Sequence, residues 1–293
     1  MHDLISAYCR KIIKEHTVNP PQDHSGAPIA IFISLWRNRQ LVLQMTRREV
    51  ASRYRGSLIG LAWSFINPLL MLVVYTFVFS VIFKARWNLN VDESKTDFAI
   101  ILFVGMIVFG IFSETVNRAP GLIISNVNFV KKVVFPLEIL PWISLGSVLF
   151  HGFVSLSVLL VVQLIVSHHL PWTVLLFPFV LLPLVFASLG VSWFLAALGV
   201  YIRDIGQLTG VFTTIIMFLS AVFYPVSALP QNFQRWLWLN PLILIITESR
   251  KVLIFGDLPD LTSLGLALIV GLLICMAGFW WFQRTRKGFA DVL

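Results

Sequence analysis

Long uncharged runs alternate with short polar stretches along this chain. Six of the runs are long enough to cross a bilayer, at roughly 58–83, 98–117, 139–167, 172–202, 206–227 and 261–283. A lipid-spanning helix needs about 20 apolar residues, because nothing in the hydrocarbon core can satisfy a free backbone N–H or C=O. The pattern therefore predicts an all-α integral membrane fold with six transmembrane helices over residues 58–283. A seventh apolar run, WLWLNPLILIIT at 236–247, is centred on Asn240-Pro241. It is too short to span and reads as a re-entrant or interfacial segment on the outer side.

Ahead of the first span, residues 29–45 place Phe32, Trp36 and Leu43 near one helical face, with Arg37, Asn38 and Gln44 elsewhere. This predicts an N-terminal amphipathic helix lying in the membrane interface, with Trp36 at headgroup level. Residues 29–57 thus hold an interfacial helix and a basic junction. Residues 1–28, with Pro20-Pro21 and Gly26-Ala27-Pro28, read as a polar tail, and residues 284–293 as a second tail.

Composition agrees with the pattern. The chain has 293 residues, of which 58% are hydrophobic and 12% charged, against about 25% charged in soluble domains. The net charge of +8 is then a statement about topology, and no nucleic-acid partner is expected. With the N-terminus inside, 16 of the 22 Lys and Arg fall in inside segments. The positive-inside rule favours that orientation, with both termini cytoplasmic. The first 25 residues lack an apolar core of signal-peptide length, so no cleaved signal is expected. Cys9 and Cys275 are far apart and form neither a disulfide framework nor a metal spacing.

The chemistry of catalysis is missing. No GxxxxGK[ST] is present, so the chain cannot build a phosphate loop. His151 is the one histidine inside a span, and the ionisable groups in the spans are few, with Glu114 and Glu138 near span ends. Ion-coupled carriers place acidic or histidine relays at mid-membrane. No catalytic residue and no metal ligand set is expected.

The inside loops carry more information. Loop 118–136 reads RAPGLIISNVNFVKKVVFP. Pro120-Gly121 ends span 2, and a short amphipathic helix follows, with Ile123, Ile124, Val127 and Val130 apolar and Asn126, Asn128, Lys131 and Lys132 polar. Such a helix suits docking of a partner protein or resting on anionic lipid. The second loop, YIRDIGQ, holds Arg203 and Asp204, which pair with each other or cap helix ends.

SRYRGSLIGLAWSFINPLLMLVVYTFVF, NVNFVKKVVFP, YIRDIGQ, FYPVSALP and KGFADVL, in this order, resemble the membrane subunits of ABC exporters for cell-surface polysaccharide. That is the type-2 integral membrane family that exports O-antigen, capsule or teichoic-acid precursors. The likeness runs from about residue 35 to 293. Leu137 departs from it, standing where the family often has a basic residue. The resemblance implies a homodimer in a bacterial cytoplasmic membrane, bound to a separate cytoplasmic ATPase. ATP and Mg would sit on that partner, with no cofactor in this chain. It also implies that Val127, Asn128, Val130, Lys131, Lys132, Arg203 and Asp204 couple to the ATPase.

Four arginines, Arg47, Arg48, Arg53 and Arg55, crowd the start of span 1. They fix orientation and meet anionic headgroups, or they hold the pyrophosphate of a lipid-linked glycan, whose geometry the guanidinium fork matches. At 100° per residue Phe65, Tyr75, Phe79 and Phe83 share one face of span 1, while Trp63 and Phe77 point elsewhere. Phe212 and Phe223 form a comparable stripe in span 5, followed by Tyr224. Aromatic faces suit a sliding sugar polymer, because weak serial sites let it move on. The same stripes serve equally for helix packing. The resulting expectation is the permease half of an ATP-driven polysaccharide exporter. The alternatives are a drug or lipid exporter permease, or a membrane-embedded glycosyl- or acyltransferase, though the last needs a carboxylate or histidine cluster that is absent.

Overall fold

A computed structural model describes residues 28–57, 59–82, 95–131, 135–226, 230, 232 and 240–293. Among them every regular element is helical. Five helical segments are long and apolar enough to cross a bilayer: Gly60–Phe79, Phe98–Arg118, Leu137–Ser167, Trp172–Tyr201 and Leu261–Val292. The chain is a multi-pass membrane protein.

The helices are α1 (Pro28–Arg37), α2 (Arg39–Arg53), α3 (Trp63–Tyr75), α4 (Lys95–Arg118), α5 (Gly121–Ile124) and α6 (Val127–Lys131). Then come α7 (Leu140–Ser167), α8 (Phe177–Tyr201), α9 (Ile205–Leu219), α10 (Pro241–Arg250), α11 (Leu261–Thr285) and α12 (Phe289–Val292). The stretch expected as one interfacial helix is split at Asn38, whose side chain donates to the Ser34 carbonyl. Ile31 of α1 is buried while Trp36 is 71% exposed, so α1 does present two faces.

Span 1 is irregular. It opens on a tight turn at Gly60–Ala62, carries Pro68 inside α3, and widens into a π-helix over Thr76–Ile82. Proline removes one backbone donor from the ladder. Where the wide turns begin, the Thr76 hydroxyl donates to the Leu72 carbonyl at 2.7 Å. The fifth expected span is α-helical only over the 15 residues of α9. That length rises about 22 Å, short of the ~30 Å hydrocarbon core. Beyond it, Ala221 takes a positive φ of 51° and the helix ends.

Span 2 (Phe98–Arg118) is the most buried of the five and forms the centre of the bundle. Spans 1 and 3 and helices α8, α9 and α10 all pack against it. Helices α8 and α11 make the closest pair. A methyl group on Gly278 would overlap the Gly190 carbonyl, and one on Gly190 would overlap the backbone at Ile274. Small residues permit such backbone approach in membrane helices.

The apolar run at 236–247 takes a different form from a segment lying in the interface. Residues 236–239 lie outside the described residues. From Pro241 the chain is a helix whose Leu242, Ile243, Ile245 and Ile246 are buried against the bundle. Asn240 caps it, accepting from the Leu242 amide at 3.0 Å. Arg250, 4% exposed, anchors its end. The guanidinium donates to the carbonyls of Ile101 (3.2 Å), Ala221 (3.0 Å) and Val222 (2.8 Å). A charge in an apolar interior needs such partners, and these three tie α10 to span 2 and to the turn after α9.

Candidate functional site

One polar cluster of the bundle lies where α2 meets the last turns of α4 and His151 of α7. Arg53 pairs with Glu114 at 2.5 Å. Arg118, one helical turn beyond Glu114, lies 3.6 Å from the same carboxylate and also donates to Glu49. The Tyr54 hydroxyl is 3.3 Å from His151 Nδ1. Burial raises the Tyr54 phenol, Arg53 lowers it and Glu114 raises it further, so it stays protonated and can donate to that nitrogen. His151 Nε2 is buried without a protein partner among the described residues.

These groups border a cavity of about 240 Å³ between spans 1, 2 and 3. Arg53, Glu114, His151, Ser64, Asn67, Ser155 and Tyr75 are among the residues that line it. The four junction arginines therefore divide. Arg53 is engaged by Glu114, whereas Arg47, Arg48 and Arg55 are exposed and form no ion pair among the described residues. Glu49 and Glu114 were absent from the sequence-derived candidates. Their signal was a lone glutamate inside the arginine run and another near the end of span 2.

The aromatic residues also separate. Phe65 and Phe212 are 49% and 52% exposed, on the outer faces of α3 and α9. Tyr75 and Phe79 turn inward. Phe79 stacks on Phe223 with centroids 5.7 Å apart and planes 15° apart, and contacts Phe98 at 6.1 Å and Tyr75 at 6.5 Å. Phe223 contacts Phe218 as well, and the Tyr224 hydroxyl donates to the Phe218 carbonyl at 2.7 Å. Phe83 lies outside the described residues. Phe65 and Tyr75 both belong to α3, on either side of Pro68, and ten residues at 100° each set them about 80° apart, enough for one to face outward while the other turns in.

At the same end the 118–136 loop forms two very short helices. Ile123 is fully buried, and Leu122, Phe129 and Val130 pack on the core. Phe129 and Phe135 stack at 4.4 Å. Val127 is half-buried, while Ile124, Ser125 and Asn128 are exposed. The Lys131 side chain and the whole of Lys132 lie outside the described residues. Arg203 and Asp204 are both exposed and make no ion pair among the described residues. The Asp204 carbonyl accepts from Gln207 and Leu208 to start α9.

A second charged hub supports these helices. Glu138 accepts from Arg286 at 2.7 Å and from the Ser34 hydroxyl at 3.1 Å, while its carbonyl accepts from Trp193 Nε1 at 3.0 Å. Arg286 also reaches the Phe135 carbonyl at 3.3 Å. Among the described residues no group of three or more His, Cys, Asp or Glu could hold a metal ion.

Residues 40–254 match the model for the ABC-2 type transporter family. The chain belongs to that family. It is similar to an O-antigen export system permease protein of Myxococcus xanthus, with 29% identity over 265 residues that cover 90% of this chain and 99% of the relative. A Klebsiella pneumoniae O-antigen export system permease protein is 24% identical, covering 86% of this chain and 95% of its own. A polysialic acid transport protein of Escherichia coli is 22% identical, covering 82% and 91%. In this ABC-2 family member the matched region contains the Arg53–Glu114–Arg118 cluster, the aromatic cluster and both short helices. Helix α1 and the α11–α12 end, with Arg286, lie outside it.

Proposed function

We propose that this protein is the membrane-spanning permease subunit of an ATP-driven exporter that moves a cell-surface polysaccharide, carried on a lipid, across a bacterial cytoplasmic membrane. The observation that carries the reading is the end-to-end likeness to polysaccharide export permeases, reaching 99% of one relative's length. In this reading α9 and the buried turn after it make the sixth crossing. Helix α10 is the re-entrant piece on the outer side, and both termini are cytoplasmic.

Two copies and a separate ATPase complete the machine. Span 1 is the least buried of the five spans. Its exposed face carries Asn67, and that of α9 carries Thr214. Polar side chains are costly against lipid, so a second copy and a path between copies cover these faces better than acyl chains do. The exposed end formed by α5, α6 and the Arg203-Asp204 turn receives the ATPase, which holds ATP and Mg. Arg48 and Arg55, exposed at the start of span 1, remain available to a pyrophosphate group, while Arg53 orients span 1 through Glu114.

Deleting the gene tests the reading. Surface polysaccharide is expected to disappear while lipid-linked glycan accumulates inside the cell, and the intact gene restores both. An unchanged surface glycan, with no internal accumulation, overturns it.

A further inference from the structure

Between α2 and α7 runs an open groove of about 1540 Å³, closed at one end by α1. Val42 and Leu43 form its floor on α2, and Leu149 and Phe153 its wall on α7. The surface is almost wholly apolar except at Arg37, Arg39 and Arg47. Among the described residues no Asp or Glu lines it. None of the three arginines joins an ion pair among the described residues. Arg39 is held in place, with its guanidinium 4.7 Å from the Trp36 ring and donating to the Trp36 carbonyl at 3.2 Å. An apolar trough with cations and no counter-charge is complementary to one kind of molecule that a membrane supplies in quantity.

We propose that this groove holds a resident anionic phospholipid, its acyl chains along α7 and its negative headgroup in the field of Arg37, Arg39 and Arg47. The guanidinium fork matches phosphate oxygens, and basic groups at the interface attract anionic headgroups. The travelling glycan lipid is the poorer occupant. The groove takes only Leu61 from span 1 and nothing from α9, so a molecule seated there is off the faces proposed to line the path. The inference rests on the permease reading only for placing this end of the bundle at a membrane surface.

Native mass spectrometry of the full chain in detergent, titrated with dioleoylphosphatidylglycerol or dioleoylphosphatidylcholine, tests it. One phosphatidylglycerol should be retained at about tenfold lower concentration than phosphatidylcholine, and Arg37→Gln with Arg47→Gln should cut the preference to about twofold. Leu43→Trp, which fills the trough, should weaken retention of both lipids. Arg48→Gln with Arg55→Gln removes the same charge outside the groove and should leave the preference intact. Equal retention of both lipids by the unmodified chain, or equal loss in the two double variants, overturns the proposal. Displacement of bound phosphatidylglycerol by undecaprenyl diphosphate also overturns it, because the groove is then a cargo site. The assay does not use transport, so its failure leaves the exporter reading standing, and failure of export leaves its result standing.

Discussion

Glu114 faces two guanidinium groups, and that one carboxylate decides which basic residues near span 1 remain free. Arg53 and Arg118 are drawn to it, Glu49 shares Arg118, and the remaining junction arginines stay exposed. The sequence alone presents four equivalent arginines, because nothing local distinguishes Arg53 from Arg55. Their difference comes from a partner 61 positions away. Packing is as selective at single positions. Gly278 meets the Gly190 backbone, whereas Gly265, on the same helix, faces open space. Gly278→Val should therefore destabilise the bundle by about 1–3 kcal/mol through overpacking. Gly265→Ala should be neutral or slightly stabilising, since alanine is the better helix former. Thermal unfolding of the detergent-purified protein, followed by size-exclusion chromatography, would show it. Equal Tm values for the two variants would mean that α8 and α11 do not approach as closely as described.

At the scale of elements, the long uncharged runs were legible because lipid leaves the backbone no alternative to helix. Four of the six expected spans fall on long helices with nearly the expected limits, and span 1 does so with an irregular interior. What could not be read was helical phase through interruptions. A 100° projection needs a continuous α-helix, and span 1 carries Pro68 and then a π-helix. The same limit applies to the loop after span 2. The break at Ser125-Asn126 leaves helices of four and five residues, too short for one stripe to persist. Ile123 and Val130 turn into the bundle, while Ile124 and Asn128 remain outside. If the proposed ATPase docks on this loop, its contact uses the second pair. Ile124→Glu with Asn128→Glu should leave membrane insertion and thermal stability unchanged but lose the ATPase on co-purification. Val130→Asp should lower the yield of folded protein, because it puts an unpaired charge into packed side chains. If the Ile124/Asn128 variant keeps its ATPase and still exports, the partner docks elsewhere.

For the whole molecule, the question is where a polymer passes. Among the described residues a single bundle shows no route. Its centre is filled by span 2, and the cavity beside Arg53, Glu114 and Tyr75 holds only about 240 Å³. A route between two copies would use the faces that one copy leaves uncovered, with Phe65 on α3 and Phe212 on α9. In that arrangement Phe79 and Phe223, stacked on each other beyond the ends of α3 and α9, would be the packed joint that shifts for the path to open. Single cysteines test this in a background where Cys9 and Cys275 are serine. Those at Phe65 and Phe212 should react with a small polar thiol reagent in the complex with its ATPase. Cysteines at Tyr75 and Phe79 should react only when the ATPase is trapped with ATP. A cysteine at Ile269, 57% exposed on α11, should stay unlabelled because it faces lipid, which excludes the reagent. If Ile269 labels as fast as Phe65 and Phe212, or if neither of those labels in any state, the faces of α3 and α9 do not enclose water and the polymer takes another way.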